Sequence, residues 1–272
     1  MPAPITRRPT LRGLRFRYLD WGRAGAPPLL LLHGAAQTAH SFDEVAPGLA
    51  RDHHVVAADQ RGHGDTDWAA RYRRDDYVGD IAALLDHLGW WRATLVAMSL
   101  GGLNALSFAT TYPARVAGLV VVDVVPTIVK EGREAVGKQL SVRDFGSFDE
   151  AVAHAHAFNP RRSLENIRER LGHAMRPRPD GRWTYKFDPG VAREAEVGLP
   201  ALWHRIASIR RPVLLVRGAE SAMLAAEGAE RFRRTIPGSA VTTVPGAGHS
   251  VMGDNPAGFL AAVRPFLARH DL

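Results

Sequence analysis

The 272-residue chain contains no cysteine. This absence excludes disulfide bonds, thiolate metal sites and a cysteine nucleophile. Long hydrophobic runs are also missing, because the longest stretches, Pro27–Leu32 and Val116–Val122, are far shorter than the roughly 20 apolar residues of a membrane-spanning helix. No apolar segment follows the basic residues near the amino terminus. We therefore expect no secretory signal peptide, a cytoplasmic location and no membrane partner.

Lysine is scarce as well, since only Lys130, Lys138 and Lys186 occur among 35 basic residues. With 28 acidic residues the formal net charge is +7. The arginines are scattered or paired along the chain, and no motif that reads nucleic acid accompanies them. The positive charge alone therefore does not indicate a nucleic-acid partner, and we expect none.

Apolar runs alternate with helical patterns along most of the chain. The order predicts a mostly parallel α/β sheet with helices on both faces, whose ligand site lies at the carboxyl ends of the strands. The alternating segment Leu14–Asp20 predicts a half-exposed strand near a sheet edge. Residues 126–208 carry charged helical patterns and a turn-rich stretch instead. We interpret residues 1–125 and 209–272 as the core and residues 126–208 as an inserted helical cap. The predicted buried strands are PPLLLLHG, HVVAAD, RATLVAM and VAGLVVVD.

The segment TLVAMSLGG contains the strongest functional signal. An apolar strand runs into a turn of small residues and then a helix, which is how a serine nucleophile is projected from a sheet. Ser99 is the candidate nucleophile, with Ala97 and Gly101 as its small neighbours. The alternative is that Ser99 only caps the helix, because serine is a favoured N-cap residue. Its position after a buried strand favours the nucleophile.

His249 is the candidate general base, because it lies on a glycine-rich loop late in the chain. An imidazole there can accept the serine proton and return it to a leaving group. The backbone N–H groups of Ala35 and Leu100 are the candidate oxyanion hole. His33 we interpret as structural, and Asp59, Arg61 and His63 as residues that brace loops.

Four strings, taken together, resemble the α/β-hydrolase superfamily: HGAAQTAHSF, DQRGHG, AMSLGG and GAGHSVMGDNP. The resemblance covers nearly the whole core, and within the superfamily it is similar to capped esterases, C–C hydrolases, enol-lactonases and cofactor-free haloperoxidases. It implies a mostly parallel eight-stranded sheet, a helical cap after the sixth strand, and neither a cofactor nor a metal. Epoxide hydrolases and haloalkane dehalogenases of this fold place aspartate at the nucleophile position, so Ser99 argues against both.

The acid that orients the histidine is missing from its usual place. Relatives carry an aspartate in a string like G-A-E-S-D, whereas this chain has Ala222 there. Asp123, at the end of a buried strand, is the favoured substitute, because some members of the superfamily use that position. Glu220 is the other substitute. The third alternative is that Ala222 weakens catalysis and leaves a protein that mainly binds ligand.

These features predict a serine esterase or lactonase with a small-molecule substrate. The aromatic residues of the predicted cap can either line a pocket or form the core of the cap; the candidates for contact with substrate are Phe158, Trp183 and Tyr185. A lyase on the same scaffold is a further alternative. The oligomeric state is left open, a homodimer included.

Overall fold

In a computed structural model of the chain, residues 3–127, 129–194 and 198–272 are described. A sheet of eight strands forms its centre. At one end of the sheet the first two neighbouring pairs of strands are antiparallel, and every other neighbouring pair is parallel. The strands of this sheet, in spatial order, are β1 (Ile5–Arg7), β4 (Tyr18–Asp20), β6 (His54–Ala58), β5 (Pro28–Leu32), β7 (Ala93–Met98), β8 (Val116–Val122), β12 (Val213–Gly218) and β13 (Ala240–Val244). The mostly parallel α/β sheet predicted from the sequence is confirmed.

The helices lie along the chain between and after these strands. Eleven α-helices occur within the described residues, in addition to two short 3-10 helices at Ala39–Phe42 and Pro113–Arg115. The α-helices are α1 (Ala46–Leu49), α2 (Arg74–His87), α3 (Leu100–Thr111), α4 (Lys130–Ser141), α5 (Phe148–Phe158), α6 (Leu164–Ala174), α7 (Val191–Glu194), α8 (Leu199–Ile206), α9 (Ala226–Thr235), α10 (Val251–Asp254) and α11 (Pro256–Arg269). Each of these helices is too short or too polar to span a bilayer.

The central strands are apolar throughout because both faces of the sheet are covered. In β5, Leu30 and Leu32 face a core that contains residues of α2, α3, α8 and α9. Leu29 and Leu31 face the opposite core, which contains residues of α10 and α11. Successive side chains of a strand point to opposite faces. An uninterrupted run of leucines therefore packs into the hydrophobic cores on both faces of the sheet.

The segment Leu14–Asp20 is not the single half-exposed strand that its pattern predicts. It is divided into β3 (Leu14–Arg15), which forms a hairpin with β2 (Thr10–Leu11), and β4. β4 is the second strand from the edge, next to β1, so its position near a sheet edge agrees with the prediction. The buried Arg17 between the two pieces donates a hydrogen bond to Asp59 at 2.6 Å, which interrupts the alternation.

The part of the chain between β8 and β12 contains helices α4 to α8 and a small antiparallel sheet that the sequence did not predict. The sheet consists of β10 (Met175–Pro177), β11 (Trp183–Tyr185) and β9 (Asp144–Phe145). Its apolar side chains form a separate core with α5 and α6. Serine caps start both of these helices: Ser147 accepts a hydrogen bond from the N–H of Glu150, and Ser163 from that of Asn166.

Candidate active site

Ser99 occupies a sharp turn between β7 and α3. Its backbone has φ 52° and ψ −117°, a region that residues with a side chain rarely adopt. The Ser99 N–H donates to the carbonyl of Val122 on the neighbouring strand at 3.1 Å. Gly101 must be small, because a Cβ there would lie 2.5 Å from the carbonyl oxygen of Leu32. The turn therefore has the strand–turn–helix context of a nucleophile elbow.

Ala97 stands where many such turns have glycine. It is fully buried within β7, in the same core as Leu103 of the following helix. The close approach of helix and strand depends instead on Gly102, because a Cβ at that residue would lie 3.1 Å from the carbonyl oxygen of Ala97 in β7. The methyl group of Ala97 is thus accommodated within the packed core.

His249 lies on the loop between β13 and α10, with its Nε2 atom 3.0 Å from the Ser99 hydroxyl oxygen. Two contacts support this loop on either side of the imidazole. The N–H of Gly248 donates to Asp254 at 3.0 Å, and the side chain of Gln37 donates to the Ser250 hydroxyl at 3.2 Å. Asp254 and Ser250 belong to a string that the sequence singled out only for its histidine.

Asp123 follows β8 and reaches the other side of the same imidazole. Its Oδ2 atom is 2.8 Å from His249 Nδ1, and its side chain is completely buried. An ionised carboxylate only accepts hydrogen bonds, so this contact places the imidazole proton on Nδ1 and leaves the Nε2 lone pair facing Ser99. The other oxygen, Oδ1, accepts from the N–H of Gly218 at 3.0 Å.

Ser221 is a further partner of Asp123 that the sequence did not indicate. Its hydroxyl donates to the same Oδ2 atom that faces His249, and it accepts from the N–H of Met223 at 3.1 Å. Ser221 thereby joins the loop after β12 to the carboxylate. The sequence feature that could have pointed to Ser221 is its place in the string GAES, immediately before the alanine that replaces the usual acid.

Glu220 is directed elsewhere. Its carboxylate forms an ion pair with Arg161 at 2.6 Å. Of the two carboxylates considered from the sequence, the structure brings Asp123 to His249 and does not bring Glu220 there. Ala222 lies in the wall of the cavity next to the site.

The two residues whose N–H groups are predicted to face an oxyanion, Ala35 and Leu100, lie close together in space. Ala35 lines the same cavity as Ser99, and it packs against the apolar cluster that contains Leu100. Leu100 is the first residue of α3, where N–H groups have no partner within the helix. Within the described residues, neither N–H donates a hydrogen bond. Both are therefore available as donors beside Ser99.

Buried histidines stabilise the loops below the site. The backbone N–H of Gln60 donates to His33 Nε2 at 3.0 Å, so the ring proton is on Nδ1, which faces the carbonyl of Gly34 at 2.7 Å. The ring of His63 packs edge-on against that of His33, with centroids 5.0 Å apart. Burial lowers the pKa of both rings, and that of His63 to about 3. Both are neutral and structural.

The depressed pKa of His63 predicts a loss of stability in acid. The unfolded chain binds a proton near pH 6.5, whereas the folded chain binds it only near pH 3. Stability from this residue is therefore complete above pH 6.5 and decreases as the pH falls toward 3. Between pH 7 and 5 one such histidine costs about 2 kcal/mol of unfolding free energy.

Urea unfolding at pH 7 and pH 5 measures this loss. We expect His63→Gln to lose less stability between the two values than the unsubstituted chain, because carboxylates contribute equally in both proteins. His270→Gln, at an exposed histidine, is the matched control and should keep the original dependence. An unchanged dependence in His63→Gln would contradict the prediction.

A cavity of about 460 Å³ opens beside Ser99 and His249. Phe158 and Tyr185, two of the three aromatic residues predicted to contact substrate, lie in its wall. Burial raises the pKa of Tyr185 to about 12, so its hydroxyl remains protonated. Trp183 is not in the wall of this cavity; its ring packs against Phe148 with centroids 4.7 Å apart. Residues 183 and 185 share one face of β11, so the strand alternation does not separate them, and the packing of Trp183 on Phe148 distinguishes it from Tyr185.

His40, Asp43 and His173 form a group with the chemistry of metal ligands, the only one within the part of the chain that the structure describes. Both ring nitrogens of His40 are already engaged. Nδ1 lies 2.7 Å from Asp43, and Nε2 lies 2.8 Å from a guanidinium nitrogen of Arg17. Since a guanidinium can only donate, it occupies the lone pair that a metal ion would need. These residues do not fit a cation site.

A family model described as the alpha/beta hydrolase fold matches residues 27–256. This chain belongs to the α/β-hydrolase family. The expected superfamily is thereby confirmed. The α/β-hydrolase is 31% identical over 259 residues to the esterase Rv0045c of Mycobacterium tuberculosis, covering 92% of this chain and 85% of that protein. It is 30% identical to a putative 2-succinyl-6-hydroxy-2,4-cyclohexadiene-1-carboxylate synthase of Bacillus subtilis, covering 94% and 95%.

Among solved structures, this α/β-hydrolase is similar to the crystal structure of E-2-(acetamidomethylene)succinate hydrolase. The TM-score is 0.88 with 28% identity, over 97% of this chain and 99% of the other. Relatives named as esterases and hydrolases support an enzyme of the hydrolase type.

Proposed function

We propose that the protein is a serine hydrolase that cleaves a carboxylic ester, a lactone or a related acyl bond. The observation that carries this proposal is the continuous chain of hydrogen bonds through His249, 3.0 Å to Ser99 and 2.8 Å to Asp123. A hydroxyl, an imidazole and a carboxylate in this geometry make up the triad of serine hydrolases. Ser99 is the nucleophile, His249 the general base and Asp123 the orienting acid.

In the first half-reaction the Ser99 oxygen attacks the acyl carbon while its proton moves to His249 Nε2. The carbonyl π bond becomes a lone pair on oxygen, and the N–H groups of Ala35 and Leu100 stabilise that charge. Removing one donor of such a pair costs about 10²- to 10³-fold in kcat. The intermediate then collapses, and the alcohol leaves with the proton from His249.

In the second half-reaction water attacks the acyl-enzyme. His249 accepts a proton from the water and returns it to Ser99 as the acid is released. Asp123 stabilises the imidazolium that forms in both halves, without taking the proton itself. The enzyme is regenerated with no redox change and with one water consumed.

Covalent labelling tests the nucleophile directly. An alkyl fluorophosphonate should add one phosphonyl group as fluoride leaves, because the reagent is attacked by an activated serine. Mass spectrometry of the intact protein and of its peptides should place a single adduct on Ser99. Ser99→Ala should remain unlabelled. Absence of an adduct on the unsubstituted protein, or labelling of Ser99→Ala, would exclude the proposal.

Residues 126–208 are proposed as a cap that selects the substrate, on the core of residues 1–125 and 209–272. Helices α4, α5 and α6 all contribute to the wall of the cavity that contains Ser99. A volume of about 460 Å³ lies within the range of small-molecule sites. Phe158 and Tyr185 are the proposed apolar contacts for the acyl chain.

A second candidate is an elimination reaction on the same scaffold, because one relative is named as a putative synthase. Isotope-labelled water separates the two reactions. A hydrolase incorporates one oxygen of the water into the acid product, whereas a lyase releases its products without it.

A further inference from the structure

Arg170 lies in the wall of the cavity that also contains Ser99 and His249. It belongs to α6 and is partly buried. One guanidinium nitrogen donates to the hydroxyl of Ser41 at 3.0 Å. A guanidinium has five N–H donors, so this contact leaves most of them without an acceptor among the residues that the structure describes.

The other charged groups in this wall are paired. Arg161 forms an ion pair with Glu220 at 2.6 Å, and Asp254 forms one with Arg162 at 2.8 Å. Arg170, by contrast, has no carboxylate within 4.0 Å among the described residues. Within the described residues, Arg170 is therefore the charged side chain of this wall that has no ion-pair partner.

Three carboxylates on other elements act on Arg170, and each already accepts a hydrogen bond from another residue. Asp43 accepts from His40 at 2.7 Å, Glu44 accepts from Asn166, and Asp254 is bound to Arg162. They attract Arg170 from a distance, whereas Arg162 repels it. Burial together with that repulsion lowers the pKa of Arg170 to about 9. The guanidinium is charged at neutral pH in a place that disfavours charge.

A bound carboxylate would remove this disadvantage. Its two oxygens match two parallel N–H donors of a guanidinium, the strongest common geometry for such a pair. Uncharged ester chains offer nothing equivalent. The requirement on the ligand is therefore a negative charge that enters the same cavity as the reacting acyl group.

We propose that Arg170 binds a carboxylate of the substrate, so that the enzyme acts on acyl compounds that carry a free acid group, such as the monoesters of dicarboxylic acids. This inference rests on the proposed serine-hydrolase function and adds the substrate class to it. Arg170 is a specificity residue, separate from the residues that perform the reaction.

The test compares two esters of similar length, anionic p-nitrophenyl hydrogen glutarate and neutral p-nitrophenyl pentanoate. Arg170→Gln should lower kcat/KM for the anionic ester by about 10- to 100-fold, the range for a lost hydrogen bond to a charged group. The loss should appear mainly in KM, since the contact is made before and during the reaction. Turnover of the neutral ester should remain, and Arg170→Lys should retain part of the preference for the anion.

Arg168→Gln is the matched control. Arg168 is on the same helix, exposed, and paired with Asp149 at 2.6 Å, so its replacement should leave the ratio of the two esters unchanged. An equal ratio in Arg170→Gln and the unsubstituted protein would overturn the inference.

Glutarate binding separates this inference from the reaction. Calorimetry on Ser99→Ala, with and without Arg170→Gln, measures glutarate affinity in the absence of turnover. Arg170→Gln should weaken that affinity by about 10-fold or more. Equal affinities would overturn the role of Arg170 alone. Failure of the unsubstituted protein to hydrolyse either ester, with glutarate binding still dependent on Arg170, would overturn the proposed hydrolysis alone.

Discussion

Ser99→Ala is expected to lower kcat for p-nitrophenyl butyrate by about 10⁴- to 10⁶-fold, the range for removing the nucleophile of a triad. The substitution isolates the hydroxyl, because alanine keeps the Cβ and therefore the same backbone strain at φ 52°. The remaining rate would come from the oxyanion donors and from binding alone. Stopped assays with several enzyme concentrations measure rates this low.

Ser107→Ala controls for the loss of a nearby serine hydroxyl, because Ser107 belongs to the helix that follows Ser99. Ser107 is buried in α3 and lies outside the cavity that contains Ser99, so its replacement should leave kcat almost unchanged. Near-ultraviolet circular dichroism should show the native spectrum for both variants. Hydrolysis that survives in a folded Ser99→Ala protein would mean that another group is the nucleophile.

Asp123→Asn is expected to lower kcat by about 10³- to 10⁴-fold. Asparagine fits the backbone at φ 52°, because it tolerates the left-handed region better than most residues. Its amide cannot fix the proton on His249 Nδ1 as a carboxylate does, and it cannot stabilise an imidazolium. The loss should therefore appear in kcat at every pH, with little change in the fold.

Two further variants test the alternatives for the acid. Glu220→Gln should have an effect well under 10-fold, since its carboxylate is paired with Arg161 and the exposed pair is weak. Ala222→Asp should bring no gain, because His249 already has a carboxylate at 2.8 Å. A collapse of activity in Glu220→Gln, or a gain of orders of magnitude in Ala222→Asp, would exclude Asp123 as the orienting acid.

Much of the fold and two of the site residues were predictable from local sequence. The segment around Ser99 is an apolar strand followed directly by small residues and a helix. A turn this sharp needs small residues, so the pattern indicates a nucleophile elbow. His249 followed from its glycine-rich loop and its late position. The first signal lies within one short segment and the second needs only a loop and its place in chain order, so neither depends on contacts between distant residues.

The acid and the charged residues of the cavity wall could not be settled from local sequence, because their positions depend on contacts between residues far apart in the chain. Asp123 and Glu220 are both on turns after parallel strands, and only the packing of Arg161 against the second turn directs Glu220 away. Nothing in the sequence indicated that Arg170 lines the cavity, because charged residues on a helix usually form its solvent-exposed face. The small sheet around β11 was missed because its strands are three residues or shorter.

The pairing of β7 with β8 sets Met98 opposite Val122, so that Ser99 and Asp123 each come one residue after matched positions. Both turns have φ 52°, and a backbone hydrogen bond from Ser99 to Val122 joins them. The proposed nucleophile and acid are thus held by two adjacent strands of one sheet. His249 comes instead from the loop of residues 245–250, and the N–H of Glu220 holds that loop by donating to the carbonyl of Ala247 at 2.9 Å, so the alignment of the imidazole with both side chains depends on how the ends of β12 and β13 pack together.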